Sequence, residues 1–516
     1  MAYFLPLLLY LGVGGGLLLL GIGSISRLRP LREPLSAAWM TMLTAIWALS
    51  PSSGRWVLSV WAPSNVAAGW FIVDQDPAIW WAGLLIGAAL SGALWLKTAE
   101  RDPDLPLAGA LSVTAFTIVW LMLASGSVLM TLAMWVLFDI AWFIAQLVGM
   151  PEGERVVWAT ALNGVTSLLL WAISLFLVRD GTSGLWWLMR PSDSILTLLA
   201  VAALMRVGFY PFQVVHAEPM QGARSLTLVG LLNAMVGIGL LYRLLSMPGQ
   251  ARLPAWMVGW GCLSVLWLAA KARVLRGRRA FVVAGYGALV ASVTGGLVTR
   301  DARLLMVAAG AWVATMSINL TSRRYSRRAF YLSWAVAVSL FLLLGAPSGP
   351  FGQLYLAVLS EAPWVWRGLF ALGLALLVVS LLGEGREIAS GRVRPARVHL
   401  WMPLVIGLLL PTVPLLVSLV WTGVAPVGLV PFALWLVAVA AGVALSRWGC
   451  RLAPFREGAI AFVDLLDLQW LYEAAWDGAE NLLGTVRVTA EVVEGSGSVL
   501  WSVLILLLVL VAVGGW

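Results

Sequence analysis

The sequence predicts an all-α polytopic membrane protein with about 14–17 transmembrane helices, two of them broken. Its 516 residues are 61% hydrophobic and only 11% charged, whereas a soluble protein carries about a quarter charged residues. The mean hydropathy is +0.93, and apolar runs of spanning length recur along nearly the whole chain. Because too few polar residues remain to cover a water-soluble globule, most of the surface must face lipid.

Apolar runs near the roughly 20 residues that cross a bilayer predict the helices in order. The first run has no basic segment before it and no cleavage site after it, so we expect a retained helix and not a signal peptide. The first seven candidates lie near 2–22, 36–50, 78–96, 106–124, 127–148, 157–178 and 194–210. The next nine lie near 226–246, 254–271, 280–298, 304–320, 329–345, 350–361, 364–383, 402–420 and 428–446, and a last one near 498–514.

Two features depart from simple spanning helices. The run 350–361 is too short to span, and glycine and proline flank it in "GAPSGPFGQLY", so we expect a broken or re-entrant helix there. Residues 453–495 place apolar side chains at helical spacing with acidic residues between them. That pattern is typical of a long amphipathic helix lying laterally along a membrane or protein surface.

These patterns divide the chain into five parts. We expect N-terminal transmembrane helices at 1–125, a first half-channel repeat at 126–270 with a broken helix near 206–222, and a second repeat at 271–450. The lateral amphipathic helix falls within 451–497 and a C-terminal anchor helix within 498–516.

Residue counts exclude several classes of site. The cysteines are Cys262 and Cys450 and the histidines are His216 and His399, so a disulfide framework and a histidine-based metal centre are excluded. Motifs for nucleotide, haem or dinucleotide binding are missing, so we expect no cofactor. The net charge of +9 is carried mainly by arginine near helix ends, which indicates membrane orientation and lipid contact, and not nucleic-acid binding.

Two charged residues stand at membrane depth, where an ionisable side chain costs roughly 2.5–3.5 kcal/mol to insert. Asp139 lies in the middle of "TLAMWVLFDIAWFIAQLV", and Arg206 lies near the end of the run 194–210. On neighbouring helices they would offset each other's desolvation and form a gate or coupling pair. The structural alternatives are a purely stabilising ion pair, or an Arg206 that reaches the interface.

A helix break follows Arg206 in "MRVGFYPFQVVHAEPM". Pro211 and Pro219 prevent a continuous helix, and freed carbonyl groups are tolerated at membrane depth only where they line a cavity or are buried in protein. His216 and Glu218 follow inside this break. His216 suits either an ordinary loop position or a proton relay, since its free imidazole titrates near neutral pH.

The segment "MRVGFYPFQVVHAEPMQG" resembles the broken-helix signature of the antiporter-like subunits of respiratory complex I and of Mrp-type sodium/proton antiporters. Arg206 falls on that family's channel lysine and Glu218 on its acidic position. "VLFDIAW" is similar to the family's fifth span, which places Asp139 on a glutamate. "VLRGRRAFVVAGYGALV" is similar to a later segment in which Arg278 takes a lysine position.

The resemblance continues into the second half with clear departures. "GAPSGPFGQLYLAVL" is similar to a second broken helix, with Pro347 and Pro350 at the break. Gln353 or Tyr355 stands near the family's second channel lysine, and Leu231 replaces its histidine. The resemblance therefore implies a degenerate second half-channel, and arginine for lysine implies a charge that does not release its proton.

Taken together, the resemblance implies a proton- or cation-translocating subunit of a complex I-like or Mrp-like assembly, with no redox centre of its own. The expected coupling residues are Asp139, Arg206, Arg278, His216 and Glu218. Expected partners are other membrane subunits, contacted through the lateral helix 453–495, in a bacterial cytoplasmic (inner) membrane. Two alternatives stay open: a non-conducting scaffold of the membrane arm, and the membrane partner of a two-component uptake system such as one for inorganic carbon.

Overall fold

The computed structural model divides the chain into two compact units, Met1–Arg456 and Glu457–Trp516. In the first unit it describes residues 8–25, 29–60, 70–98, 108–149, 153–179, 184–212, 227–247, 253–275, 277–322, 330–388, 401–422 and 428–448. In the second unit it describes Val463 and Ala474, both helical. The predicted lateral helix at 453–495 and the anchor helix at 498–516 otherwise lie outside the described residues.

The described part of the first unit is helical except for one β-hairpin. A π-helical turn at Tyr10–Gly14 leads into the first α-helix. The helices of the N-terminal half are α1 (Gly15–Ser24), α2 (Arg29–Ala48), α3 (Pro77–Thr98), α4 (Ala108–Leu123), α5 (Val128–Gly149), α6 (Gly153–Arg179), α7 (Asp193–Val207) and α8 (Thr227–Leu245). Those of the C-terminal half are α9 (Trp256–Val274), α10 (Gly277–Thr299), α11 (Ala302–Ser322), α12 (Phe330–Leu343), α13 (Pro350–Glu361), α14 (Trp364–Ile388), α15 (Trp401–Thr422) and α16 (Leu429–Trp448).

Hydropathy and helix length agree on the membrane character of these helices. Among the described residues, eight helices are long and apolar enough to cross a membrane, and four shorter apolar helices accompany them. Within the described residues, each run predicted between 2 and 446 overlaps one of the helices above. The predicted all-α polytopic fold class is confirmed, and the chain is a multi-pass membrane protein.

Among the eight long spans, those of α10 and α11 are the most buried, and those of α6 and α16 are the least buried. In α10, 94% of the span Arg279–Thr299 is buried, against 17% of the span Leu429–Ser446 in α16. Lipid chains are as apolar as leucine, so helices in a membrane pack through small residues that allow close approach. The α10 sequence "GRRAFVVAGYGALVASVTGGLVT" is rich in glycine, alanine and serine, which suits close packing against its neighbours.

A β-hairpin, which the sequence analysis does not predict, lies at one end of the helices. Strands β1 (Gly54–Val60) and β2 (Trp70–Gln75) pair antiparallel, with Arg55 opposite Asp74. The backbone between α4 and α5 continues this layer, because the Gly126 N–H donates to the Ile72 carbonyl at 2.6 Å. Isolated bridges join Val73 to Ser125 and Ser127 to Leu185. The layer therefore connects the loop before α5 to the segment before α7.

Helix α7 ends at the first break, immediately after Arg206. Gly208 adopts φ +97°, a left-handed conformation that favours glycine, and its N–H donates back to the Leu204 and Met205 carbonyls. Helix α9 supports the chain beyond it. The Ser264 hydroxyl accepts from the Tyr210 N–H at 3.1 Å, and the Trp260 indole donates to the Tyr210 carbonyl at 2.6 Å. These contacts satisfy backbone groups that a broken helix leaves unpaired.

The second break separates α12 from α13. Gly345 adopts φ +80°, Pro347 lies in the connecting segment, and Pro350 is the first residue of α13, where its missing N–H costs no hydrogen bond. Helix α13 has 12 residues. The short, broken segment predicted at 350–361 therefore has the same bounds in the structure.

Candidate functional site

The candidate site is a buried ion pair between Asp139 on α5 and Arg206 in the last turn of α7. The Arg206 Nη2 group contacts the Asp139 Oδ1 atom, so the structure brings the two predicted residues together. Their environments differ, because the Arg206 side chain is fully buried while 22% of the Asp139 side chain is exposed. In a low-dielectric interior such a pair is tolerated when further hydrogen bonds satisfy the remaining polar atoms.

One turn of α6 supplies these further hydrogen bonds. The Ser167 hydroxyl donates to Asp139 Oδ2 at 2.5 Å, and the Thr166 hydroxyl accepts from Arg206 Nη1 at 3.5 Å. Both hydroxyls also lie close to the Asn163 carbonyl oxygen, at 3.0 Å for Ser167 and 2.7 Å for Thr166. Adjacent residues of one helix thus contact the carboxylate and the guanidinium separately.

An amide pair holds that turn of α6 against α8. The side chains of Asn163 and Asn233 exchange N–H···O contacts at 3.5 and 3.3 Å, and both are buried. Reciprocal amide contacts of this kind join transmembrane helices. The polar groups accordingly run from α5 through α6 and α7 to α8.

Aromatic side chains close the site on the side of α5. The Arg206 Cζ atom lies 5.1 Å from the ring centroid of Trp135 and 5.9 Å from that of Phe138. A guanidinium over an aromatic face gains electrostatic attraction when it is desolvated. The Trp135 indole N–H also donates to the Ser167 hydroxyl at 3.0 Å. Trp135 therefore contacts both the guanidinium of Arg206 and the hydroxyl that binds Asp139.

The close approach of α7 to α8 depends on Gly237. A Cβ atom built on Gly237 would lie 2.6 Å from the Ala203 carbonyl oxygen and 3.0 Å from the Arg206 Cβ atom. No side chain fits there unless the helices separate. Gly237 therefore allows α7, which carries Arg206, to pack closely against α8.

Neutral donors occupy the second break. The Tyr355 hydroxyl lies 3.0 Å from the Ala288 carbonyl oxygen and 3.3 Å from that of Leu343, where α12 ends. Trp435 donates to the Leu344 carbonyl at 3.2 Å, and Gln353 donates to the Thr422 carbonyl at 2.9 Å. Tyr355 and Trp435 thus give donors to the Leu343 and Leu344 carbonyls at the end of α12, and all three side chains are uncharged at neutral pH.

The remaining predicted residues are placed only in part. Arg278 lies in the first turn of α10, and its side chain is outside the described residues. Pro211 follows the first break directly, whereas His216, Glu218 and Pro219 lie outside the described residues. The roles of all these residues in a proton path stay predictions. In the described part of the chain, no group of three His, Cys, Asp or Glu side chains is arranged to hold a metal ion.

A second buried arginine was not identified from the sequence. Arg243, in the last turn of α8, donates to the Asp74 side chain at 3.2 Å, to the Asp74 carbonyl at 2.7 Å and to the Leu123 carbonyl at 2.9 Å. Arg55 contacts the same carboxylate at 2.8 Å. We call Arg243, Asp74 and Arg55 the hairpin cluster. Its only sequence signal is an arginine at the end of an apolar run, which usually indicates a residue at the membrane interface.

Asp76, two residues after Asp74, has a local role in the structure. Its carboxylate accepts from the Ala78 and Ile79 N–H groups, both at 2.9 Å, and so caps the first turn of α3. A helix cap therefore accounts for the contacts of this carboxylate.

No protein-family model matches this sequence, and no curated protein is similar to it in sequence. Its structure is nevertheless similar to chains of solved membrane complexes. A chain of the Mrp complex from Dietzia sp. DQ12-45-1b has a TM-score of 0.73 at 16% identity, over 99% of this chain and 62% of that one. The present chain thus spans about 62% of the length of that Mrp chain.

Two further similarities cover complete chains of other assemblies. A chain of the membrane-bound sulfane sulfur reductase, an archaeal respiratory membrane complex, has a TM-score of 0.70 at 16% identity, over 99% of this chain and 100% of that one. A chain of respiratory complex I from Thermus thermophilus has a TM-score of 0.64 at 15% identity, over 86% and 100%. The resemblance inferred from the sequence motifs is therefore confirmed at the level of the fold.

Proposed function

We propose that this chain is a membrane subunit of a multisubunit proton- or cation-translocating assembly, and that Asp139 and Arg206 couple charge movement to a neighbouring subunit. The observation that carries the proposal is the buried ion pair at membrane depth, whose carboxylate keeps partial exposure while the guanidinium has none. The similar chains support the assembly, since each belongs to a membrane complex and two of these complexes are respiratory.

The surface around Asp139 supports coupling to a neighbour. Leu137 and Ile140 on α5 and Leu168 on α6 are exposed beside the partly exposed carboxylate. A carboxylate that faces lipid is costly, so a second polypeptide with a polar group at this depth is the partner that suits this face. The lateral helix predicted at 453–495 would provide a second contact with subunits of the same assembly in a bacterial cytoplasmic membrane.

The arrangement of charges favours coupling over conduction by this chain alone. Arginine keeps its proton throughout the physiological pH range, so Arg206 acts as a fixed positive charge. Asp139 is the member of the pair that can change its charge. The described residues at the second break offer neutral donors, which supports the degenerate second half-channel that the motifs imply.

A non-conducting scaffold is the second candidate, and the neutral donors at the second break favour it. In that case the Asp139–Arg206 pair would have the same status as the hairpin cluster, namely an ion pair that stabilises the packing of distant segments. The two functions differ in what happens when Asp139 loses its charge while the assembly stays intact.

The test is proton translocation by the assembly purified through a tag on this chain and reconstituted in liposomes. We expect Asp139→Asn to lower the number of protons translocated per turnover while the same subunits co-purify. Asp74→Asn is the matched control, because it removes a carboxylate from the other buried arginine pair; it should reduce stability and leave that number unchanged. Unchanged translocation in an intact Asp139→Asn assembly would favour the scaffold instead.

A further inference from the structure

We infer that Ser167 is a positioning residue whose hydroxyl has two orientations, one for ionised Asp139 and one for protonated Asp139. This inference rests on the proposed function, since it assigns a device to the same ion pair. A hydroxyl has one hydrogen to donate and two lone pairs to accept with. The Ser167 hydroxyl has two acceptors within reach, Asp139 Oδ2 at 2.5 Å and the Asn163 carbonyl at 3.0 Å.

In the first orientation Asp139 is ionised. Its Oδ1 atom accepts from Arg206, and its Oδ2 atom accepts the Ser167 hydrogen. The Trp135 indole donates to one Ser167 lone pair at 3.0 Å. Every polar atom of the carboxylate therefore has a donor, as a buried charge requires.

In the second orientation Asp139 has gained a proton from the medium, and an O–H bond has formed at Oδ2. Two donors would now face each other, so the Ser167 hydrogen turns to the Asn163 carbonyl. The free lone pair of Ser167 then accepts from the Asp139 O–H, while Trp135 continues to donate. Asp139 Oδ1 still accepts from Arg206, which keeps its charge and its contact with Thr166.

In both states the Asp139 carboxyl group and the Ser167 hydroxyl keep their hydrogen bonds, and the states differ by one hydroxyl rotation without movement of the backbone. The Asn163 carbonyl can accept the Ser167 hydrogen because serine and threonine hydroxyls on helices bond to carbonyl groups of the preceding turn. The Asn163 side chain is held by Asn233 on α8, so the acceptor stays in place. Thr166 contacts the guanidinium of Arg206, and Ser167 contacts the carboxyl group of Asp139.

Few other charges face Asp139 from the elements packed around it. Arg206 contacts it from α7, and α7 also carries Asp193 in its first turn. Helix α4 and the described side chains of α6, at 159–177, carry no charge. Helix α8 carries Arg243, which pairs with Asp74 of β2. Among the described side chains, Ser167 is therefore the neutral group best placed to sense the charge of Asp139.

The test uses the full chain in lipid nanodiscs and infrared difference spectroscopy of its carboxyl groups as the pH changes. The Asp139 carboxylic-acid band is identified by its loss in Asp139→Asn. In Ser167→Ala we expect this band at a higher frequency, because the acid has lost its acceptor. We also expect a changed midpoint pH for the appearance of this band, because Ser167 contacts the carboxyl group in both of its forms.

Three variants make the test specific. Ser167→Thr keeps the hydroxyl and should restore both the band position and the midpoint. Ser167→Cys, a weaker donor, should fall between wild type and alanine. Ser174→Ala is the matched control, because Ser174 is on the same helix and its hydroxyl donates to the Trp171 carbonyl at 2.6 Å, away from any carboxylate; it should leave both values unchanged.

Two results would overturn the inference. One is an unchanged band and midpoint in Ser167→Ala, and the other is an Asp139 that never protonates in the folded wild-type protein. Failure of the proposed function is distinguishable, because it would appear in proton translocation by the Asp139→Asn assembly while the Ser167 effects on the band persisted.

Discussion

At the scale of single residues, the site is organised around a guanidinium that keeps its charge under all physiological conditions. Its partners are the Asp139 carboxylate, the Thr166 hydroxyl and the Trp135 ring. Asp139 has a different environment, since 22% of its side chain is exposed while the Arg206 side chain is fully buried. The proposed coupling therefore assigns the change of charge to Asp139.

A double-mutant cycle tests whether the two charges depend on each other. Removal of one partner leaves the other buried and uncompensated, so Asp139→Asn and Arg206→Gln should each lower the free energy of unfolding by about 3–5 kcal/mol. The double variant should lose markedly less than the sum. Thermal or denaturant unfolding of the full chain in detergent measures the three values, and additive losses would contradict the ion pair.

At the scale of elements, two helices end at glycines in the left-handed region, Gly208 and Gly345. The sequence predicts both breaks from prolines, which prevent a continuous helix. The glycines are what permit the turn, and neighbouring helices supply the missing hydrogen bonds through Trp260 and Trp435. These donors are remote in sequence, so no local pattern indicates which tryptophans support the breaks.

The crossing of α7 and α8 gives a prediction at this scale. Gly237→Ala should destabilise the protein by about 1–3 kcal/mol, because a methyl group would overpack the contact with the Ala203 carbonyl. Gly164→Ala on α6 is the matched control. A Cβ atom there would meet nothing within 4 Å, and alanine favours the helix by about 1 kcal/mol. Equal unfolding midpoints for the two variants would argue against the close crossing.

At the scale of the whole molecule, the apolar spans differ widely in burial. All eight long spans of the described residues are apolar, yet the α10 span is 94% buried and the α16 span 17%. Hydropathy alone predicts the spans, because each must cross the same thickness of lipid. It does not predict which spans are central, since lipid and protein interiors are equally apolar.

Two leucines distinguish lipid contact from core packing. Leu289 on α10 is fully buried, whereas Leu436 on α16 is 51% exposed. Leu289→Ala should lower the free energy of unfolding by about 2–5 kcal/mol through loss of packing and creation of a cavity. Leu436→Ala in the isolated chain should cost far less, because lipid chains fill the space. A large loss at Leu436 would indicate that α16 is packed against protein.

The limits of sequence reasoning are visible at Asp139 and at the hairpin cluster. Asp139 and Arg206 are noticeable because each interrupts an apolar run, so their pairing is a natural expectation. The hairpin consists of two short strands whose pairing depends on docking to the loop before α5, and strand propensity depends strongly on such context. Arg243 and Asp74 are separated by 169 residues, and neither residue indicates its partner.

That separation has a consequence for how the protein is made. Synthesis proceeds from the N-terminus, so Asp74 emerges long before Arg243, and every helix from α3 to α8 must be inserted before they meet. Contacts between distant segments form late in folding. The hairpin cluster therefore closes only once the first eight helices are present in the right order. A chain halted earlier would pair Asp74 with Arg55 alone, so the ion pair between Asp74 and Arg243 forms only after α8 is in place.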